Sequence, residues 1–312
     1  MVEFKLYTSS LKNEWDSFVE NCKTPLFFYK RDYLEYHADR FLDSSIMFYK
    51  EGKLIGIFPA TKDNNTMISH GGLTFGGVLV SVKTRIETVI DIFNQLKAFS
   101  KSQGINKIIY KPSPAPFHQY PSEEDLYCIQ NVLQGILYRR DLSSVIKLSE
   151  RIKLSKGRKA LISRARKLGL EVEDSVDWVG FHTLLTSVLK KHSATAVHSP
   201  KELEYLASTF PDNIKLKIIK VDGEIISAAL LFLFDGVTHT QYLATNDKGR
   251  ECGALDFIIE TSIQQSQDMN VKYFSFGIST EQNGTVLNGG LAAQKESFGA
   301  RTICIDAYEV VI

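Results

Sequence analysis

The feature that most constrains this chain is a hairpin that occurs twice. Residues 46–60, IMFYKEGKLIGIFPA, are two β-rich runs about Glu51-Gly52, and residues 216–231, LKIIKVDGEIISAALL, are two more about Asp222-Gly223. An acidic residue followed by Gly between alternating apolar runs marks a type I′ turn, because both central residues must tolerate positive φ. The elements after each hairpin also match. After the first come a third run (66–70), a glycine-rich stretch, a helix-period segment (86–103) and an apolar strand (105–110). After the second come a strand (237–245), a Gly-containing stretch, a helix-period segment (254–268) and an apolar strand (271–276). Val89, Ile90, Phe93, Leu96 and Phe99 give the first helix its stripe, and Leu255, Phe257, Ile258, Ile259 and Ile263 the second.

Two copies of hairpin–strand–helix–strand predict an α/β (α+β) protein of two tandem units, each a mixed, mostly antiparallel sheet flanked by helices. Helical segments precede each copy: 13–22 and 30–40 before the first, and 157–168, 178–192 and 200–210 before the second. A strand at 144–148 closes the first half. The seam near 149–155 divides the chain into domains 1–149 and 150–312, with no Gly/Ser-rich linker between them.

Composition excludes several classes. At 312 residues the chain buries a large core without disulfides, and its four dispersed cysteines form no CxxC pair. A formal charge of +1 argues against a protein that coats DNA. The N-terminus lacks the pattern of a signal peptide, and the longest apolar run, 225–234, is about half a membrane span. No membrane insertion and a cytoplasmic location are the expectation.

Hairpin, third strand, Gly-containing turn, helix and strand form the core of the GNAT acyltransferase fold, and the tandem resembles Fem-type and related double-GNAT proteins. KGRKALISRARKLGLEVE (156–173) is similar to the segment that opens their second half, and LAAQKESFGAR (291–301) to their closing helix with its K-x-x-F-G ending. SHGGLTFGG (69–77), HTQYLA (239–244), FGISTE (276–281) and LNGGLAAQKESFGAR (287–301) resemble bacterial GNAT-like acetyltransferases. The resemblance implies an N-acyltransferase moving an acyl group, most simply acetyl from acetyl-CoA or another acyl-CoA, to an amine of a sugar or peptide cell-envelope precursor. The alternatives, ranked behind it, are a Fem-type transferase that takes its acyl group from aminoacyl-tRNA, which the near-neutral charge and the absence of a long helical hairpin insertion disfavour, and a degenerate pair that only binds. The first domain is then the acceptor-binding or structural one, and the second binds the donor and catalyses.

Such chemistry needs backbone N–H groups for a donor pyrophosphate, a charge or donor for the developing oxyanion, and proton carriers. The turn 246–254, between strand and helix, offers Lys248, Gly249, Arg250, Gly253 and Ala254 for the phosphates, although Glu251 intrudes. Strict alternation along 237–245 sets His239 and Gln241 on one face and Thr240 and Tyr242 on the other. Glu281 as base with Tyr242 as acid is the preferred pair, with His239 the alternative base. Gln241 and Lys295, the lysine of the K-x-x-F-G ending, are substrate candidates. Lys295 is expected on a helix with Leu287, Leu291 and Phe298 as the apolar stripe and Gly299 as C-terminal cap.

In the first half, Gly71, Gly72, Gly76 and Gly77 occupy the corresponding turn without basic company. The loop 111–121 holds four of the eight prolines with Phe117, His118 and Tyr120, and runs into a helix start at 122–125. Tyr110, Lys111, His118 and Tyr120 are its acceptor candidates. Residues 147–167 carry nine Lys/Arg against Glu150 alone, a surface for nucleotide, CoA or tRNA phosphates, although Arg158 and Arg164 do not share one stripe. His192 and His198 are not spaced for a metal, and no GxSxG or Walker-type lysine occurs. Cys252 is a small filler at a helix start.

Overall fold

A computed structural model describes residues 1–191 and 194–312; the expected end of a helix at His192 lies outside the described residues. The chain runs β1 (Val2–Leu6), α1 (Lys12–Glu20), α2 (Arg31–Glu35), β2 (Leu42–Asp43), β3 (Ile46–Lys50), β4 (Lys53–Phe58), β5 (Thr61–Asp63), β6 (Thr66–Ile68), β7 (Leu79–Val80), α3 (Ile86–Ser102), β8 (Lys107–Tyr110), α4 (Glu124–Asn131) and β9 (Ile136–Lys147). It continues with α5 (Lys156–Lys167), β10 (Glu173–Ser175), α6 (Trp178–Lys190), α7 (Pro200–Thr209), β11 (Ile214–Val221), β12 (Glu224–Phe234) and β13 (Val237–Thr245). Then come α8 (Asp247–Cys252), α9 (Ala254–Asp268), β14 (Tyr273–Ile278), β15 (Thr280–Glu281), β16 (Val286–Leu287), α10 (Gly289–Glu296) and β17 (Arg301–Val311).

Two compact units result. The first comprises Met1–Leu142, Thr280–Val286 and Cys304–Ile312; the second comprises Ser143–Ser279 and Leu287–Ile303. The first unit has one sheet in the order β1-β3-β4-β7 and a second set in the order β17-β8-β6-β5-β2, with β6 and β8 parallel. Its core gathers Phe48, Phe58, Ile92, Phe93, Leu96, Ile108 and Tyr110. The second unit orders β10-β11-β12-β13-β14-β9, antiparallel except between β13 and β14.

The repeat extends to backbone detail. Both hairpins turn through two positive-φ residues, Glu51 (52°) and Gly52 (72°), then Asp222 (54°) and Gly223 (79°). Three residues beyond each turn glycine the ladder slips by one, leaving Ile55 and Ile226 unpaired as bulges. Each freed carbonyl is then taken up locally. Ile55 O accepts from Ser81 N at 3.1 Å and Thr84 Oγ1 at 3.2 Å; Ile226 O accepts from Asn246 N at 3.0 Å and Thr245 Oγ1 at 3.3 Å.

Two expected elements differ. The helix at 30–40 stops at Glu35, because the chain tightens into i,i+3 bonds (Ala38 N to Glu35 O, 3.1 Å; Arg40 N to His37 O, 2.9 Å) that set the His37 ring against Gly72. The strand expected at 144–148 is the end of the longer β9, whose first part, with Ile136, Leu137 and Tyr138 exposed, lacks the alternation that marks a strand in sequence.

Candidate functional site

The second unit contains a gap between two parallel strands. β13 and β14 pair only through Val237↔Tyr273, Thr238↔Phe274 and His239↔Ser275, although β13 runs on to Thr245 and β14 to Ile278. Both strands bulge immediately past the last pair. On β13 the register to β12 jumps from Leu231↔Thr240 to Leu230↔Tyr242, leaving Gln241 extra. On β14 the register to β9 jumps between Ser275 and Ile278, where Gly277 sits at φ 74°. A bulge bends its strand and strengthens the local twist, so two at one level part the strands.

The Gln241 bulge also corrects the alternation read from sequence. Thr240 stands opposite Leu231 and Tyr242 opposite Leu230, so these two fall on opposite faces. His239, opposite Phe232, shares the face of Tyr242 instead. The extra residue shifts the phase by one. The two proton-carrying candidates of β13 thus lie on one side, where Phe181 of α6 packs on Tyr242 at a ring separation of 6.5 Å.

His239 Nδ1 and Ser275 Oγ share a hydrogen bond of 3.0 Å, and the imidazole lies beside Gly277. Tyr242 Oη pairs with Nδ1 of the buried His198 at 2.9 Å, a partner 44 residues away that sequence spacing does not suggest. Lys295 departs most from expectation. Leu287 and Leu291 of the expected apolar stripe are 54% and 37% exposed, whereas Lys295 is 5% exposed. Its Nζ donates to Gly277 O at 3.0 Å, to Ile278 O and to Ser279 Oγ at 2.9 Å. The bulge at Gly277 turns carbonyls away from the ladder, and the ammonium takes them up. Phe298 is fully buried, and Gly299 does adopt positive φ, at 98°, just past the helix.

These contacts set the electrostatics. Burial, with no carboxylate among its partners, lowers Lys295 to about 8. Burial, then the Lys295 charge, lowers His239 to about 4, so its imidazole is neutral near pH 7. Burial raises the Tyr242 hydroxyl.

In the expected phosphate turn the two cations and the Gly249 amide have partners within the chain. Gly249 N donates to the Asn246 side chain at 2.9 Å as the N-cap of α8. Lys248 pairs with Asp222 at 2.9 Å and Arg250 with Asp247 at 3.1 Å. A Cβ at Gly249 would lie 2.4 Å from Ile226 O, and one at Gly253 2.5 Å from Leu161 O of α5, so close chain crossing accounts for both glycines. Ala254 is fully buried, and Asp256 in the first turn of α9 pairs with Arg158. Cys252 donates its thiol to Gly249 O at 3.5 Å.

The first-unit candidates mostly hold the unit together. Tyr110 is 0% exposed; its hydroxyl accepts from Val78 N at 2.7 Å and donates to Asp125 at 2.9 Å. Lys111 Nζ donates to His70 O at 2.9 Å and to Leu73 O, and burial lowers it to about 8. His118 Nε2 meets Ser113 O at 2.8 Å, while Tyr120 is exposed. Glu281 is an exposed residue of the same unit, next to Thr280, whose hydroxyl donates to Asp141 at 2.6 Å.

The basic run resolves into inward and outward cations. Arg151 grips Glu260 with two bonds, of 3.0 and 2.7 Å, and Arg158 reaches Ser297 and Asp256. Lys156, Lys159, Arg164 and Lys167 are exposed, make no ion pair among the described residues, and share α5 with no acidic side chain. Among the described residues there is no group of three or more His, Cys, Asp or Glu placed to hold a metal, and no helix long and apolar enough to cross a membrane.

No protein-family model matches this chain, and no curated protein sequence does. Solved structures do. FemX superposes with a TM-score of 0.69 at 12% identity, covering 99% of this chain and 97% of that one. L-PGS from Bacillus licheniformis gives 0.65 at 12% identity, over 96% and 91% of the two chains. A tandem GNAT protein from the clavulanic acid biosynthesis pathway gives 0.56 at 7% identity, over 100% and 98%. At these identities the likeness is one of fold: the chain has the tandem GNAT, Fem-type fold.

Proposed function

We propose that the protein is an N-acyltransferase whose second unit holds the activated acyl group in the gap between β13 and β14. The observation that carries this is the paired bulge at Gln241 and Gly277, which frees two strand edges beside a buried ammonium, a neutral imidazole and a phenol. Unpaired edges supply amide donors and acceptors for an extended arm. The amine nitrogen attacks the acyl carbonyl carbon, and the bond to the donor's oxygen or sulfur breaks as the carbonyl re-forms. The ammonium of Lys295 has its three protons engaged, so it acts on the oxyanion through its field, in a poorly solvated place where a charge counts for more. Neutral His239 takes the amine's proton, and Tyr242 supplies one to the leaving atom.

Of the two donors open from sequence, the structure favours the aminoacyl ester of tRNA over acyl-CoA. The turn 246–254, on which a CoA pyrophosphate would rest, has its cations paired and its glycines packed against backbone, whereas α5 presents unpaired cations suited to a polyphosphate. The acceptor in this reading is an amine of a sugar or peptide cell-envelope precursor. Purified protein given charged tRNA should modify such an acceptor, the transfer should vanish on RNase treatment, and millimolar CoA should not raise its melting temperature. RNase-resistant transfer from acetyl-CoA, with thermal stabilisation by CoA, would restore the acyl-CoA reading.

A further inference from the structure

His198 takes no proton in the acyl transfer, yet it holds a group that gives one. It stands just before α7, whose start is written in the sequence as Ser199-Pro200-Lys201-Glu202. Ser199 Oγ accepts from Glu202 N at 3.3 Å and Glu202 accepts from Ser199 N at 2.7 Å, a reciprocal cap, with Pro200 at the first helical position. The backbone next to His198 is therefore fixed. The position before such a cap suits an apolar side chain packed on the fourth helical residue, here the buried Leu203. This chain places an imidazole there instead and buries it to 4% exposure. The imidazole is directed at Tyr242. Its Nδ1 lies 2.9 Å from the hydroxyl oxygen, and the two rings meet edge to face, with centroids 5.8 Å apart and planes at 83°. Tyr242 is half-buried, so His198 is the more deeply set member of the pair.

Only one proton fits between Nδ1 and Oη, and the atom that carries it decides what the tyrosine can do. If the hydroxyl donates to Nδ1, its proton is turned away from the reaction. If Nδ1–H donates to the oxygen, the tyrosine's own proton stays available, and the tyrosinate left behind keeps a donor. Burial raises the Tyr242 hydroxyl, while hydrogen bonds from Val197, Gln241 and His198 act the other way, as bonds accepted by the oxygen do. We infer that His198 is a positioning residue of the transfer: protonated on Nδ1, it donates to Tyr242 Oη and leaves the tyrosine's proton for the leaving atom. This rests on the proposed acyl transfer, in which Tyr242 is the acid. In that step the Oη–H bond breaks and the bond from hydrogen to the leaving oxygen or sulfur forms. His198 loses no proton, and the tyrosinate is reprotonated from water as His239 gives up the amine's proton.

Nitrogen-15 NMR of protein labelled in its histidines tests this without any substrate. The His198 signals, identified by their loss in His198→Asn, should show hydrogen on Nδ1 at pH 7. In the transfer assay His198→Leu should lower kcat by about 10–10² with little change in KM, a part of what a general acid supplies. His198→Asn, whose amide nitrogen takes the place of Nδ1, should restore most of that loss. In the Tyr242→Phe chain, itself slow, His198→Leu should lower kcat no further, because the two residues act as one. A bare Nδ1 overturns the inference and leaves the acyl-transfer reading standing. So does an Asn variant no faster than the Leu variant, or an undiminished loss in the Tyr242→Phe chain. A Tyr242→Phe chain that keeps its full rate removes the acid from that reading, and this inference with it.

Discussion

The two units repeat one construction and end it differently. In each, two parallel strands pair for three residues and then part: Thr66–Ile68 with Lys107–Ile109 in the first, Val237–His239 with Tyr273–Ser275 in the second. The first unit closes its own gap. Ser69 N bonds Ile109 O at 2.9 Å and Gly76 N bonds Lys111 O at 2.7 Å, and Gly76 forms a parallel bridge to Pro112, so the glycine-rich segment threads the opening. The ammonium of Lys111 ties down the carbonyls of that segment. In the second unit an ammonium also binds carbonyls at the divergence, but it arrives from α10, and no ladder bonds join the strands beyond His239. One repeat fills its opening with packing; the other leaves two strand edges without a ladder partner. Glycines in the first unit therefore mean close crossing, and the half-buried Lys111 holds the carbonyls of a threading segment where the buried Lys295 holds those of a bulge.

Exchanging those lysines for methionine breaks the comparison most sharply. Lys295→Met should lower kcat by about 10²–10³, the loss typical for one oxyanion-stabilising group, with a smaller change in KM. Lys111→Met should leave kcat unchanged and lower the melting temperature, because two buried carbonyls lose their donor. Steady-state kinetics alongside thermal melts read both. Equal losses of kcat in the two variants would mean that the first unit's closed gap also serves the reaction.

Protonation distinguishes the units next. His239 is lowered from 6.5 to about 4 and His70 from 6.5 to about 3, in both cases chiefly by burial. Between those values and 6.5 the unfolded chain holds a proton that the folded chain refuses. The stability present above pH 6.5 is thus lost as pH falls, down to about 4 for His239 and about 3 for His70. The His239 part amounts to about 3 kcal/mol at its limit. Urea unfolding at pH 7, 5 and 4 should show His239→Asn losing less on acidification than the parent chain; parallel losses would refute the assignment. Activity, by contrast, should decline as pH rises through about 8, where Lys295 surrenders its charge.

The repeat was legible in the sequence because turn chemistry is local: Glu51-Gly52 and Asp222-Gly223 must turn wherever they stand. The bulges were not, since one unpaired residue leaves no mark on an apolar run. From that single omission came the misassigned faces of Thr240 and Tyr242. The inversion of α10 was hidden for a related reason: Leu287, Leu291 and Phe298 give an ordinary apolar stripe, and only the carbonyls freed at Gly277 explain why Lys295 is the residue turned inward. His198 reaches Tyr242 from a loop outside the strand pattern. Gly249 and Gly253 read as a phosphate turn because close backbone approach leaves the same signature whether the neighbour is an anion or another strand.

A smaller effect is expected at Tyr110, whose hydroxyl joins Val78 N and Asp125 inside the first unit. Tyr110→Phe strands both partners and should destabilise by about 1–3 kcal/mol. Burial raises Asp125 to about 7, so the loss should be greater above that pH, where the unpaired carboxyl is ionised, than below it. Denaturant melts at pH 6 and 8 compare the two states. Turnover should not change, and a rise in KM for the acceptor would instead return Tyr110 to the substrate.

The smallest expected effect is at Glu281, and it decides whether the segment Thr280–Val286, which packs with the first unit, takes part in the chemistry at all. Glu281 is exposed, while His239 already stands as an uncharged proton acceptor on the face of Tyr242. Glu281→Gln should therefore change stability by no more than about 0.5 kcal/mol, as surface substitutions do. The rate should hold within a factor of about three across the pH profile. A general base lost from the reaction removes about 10²–10⁴ in rate, so a fall of that size, with the acid limb of the profile abolished, would transfer the base's role from His239 to Glu281. The contrast between a closed, structural first unit and an open, chemical second one would then fail at that residue.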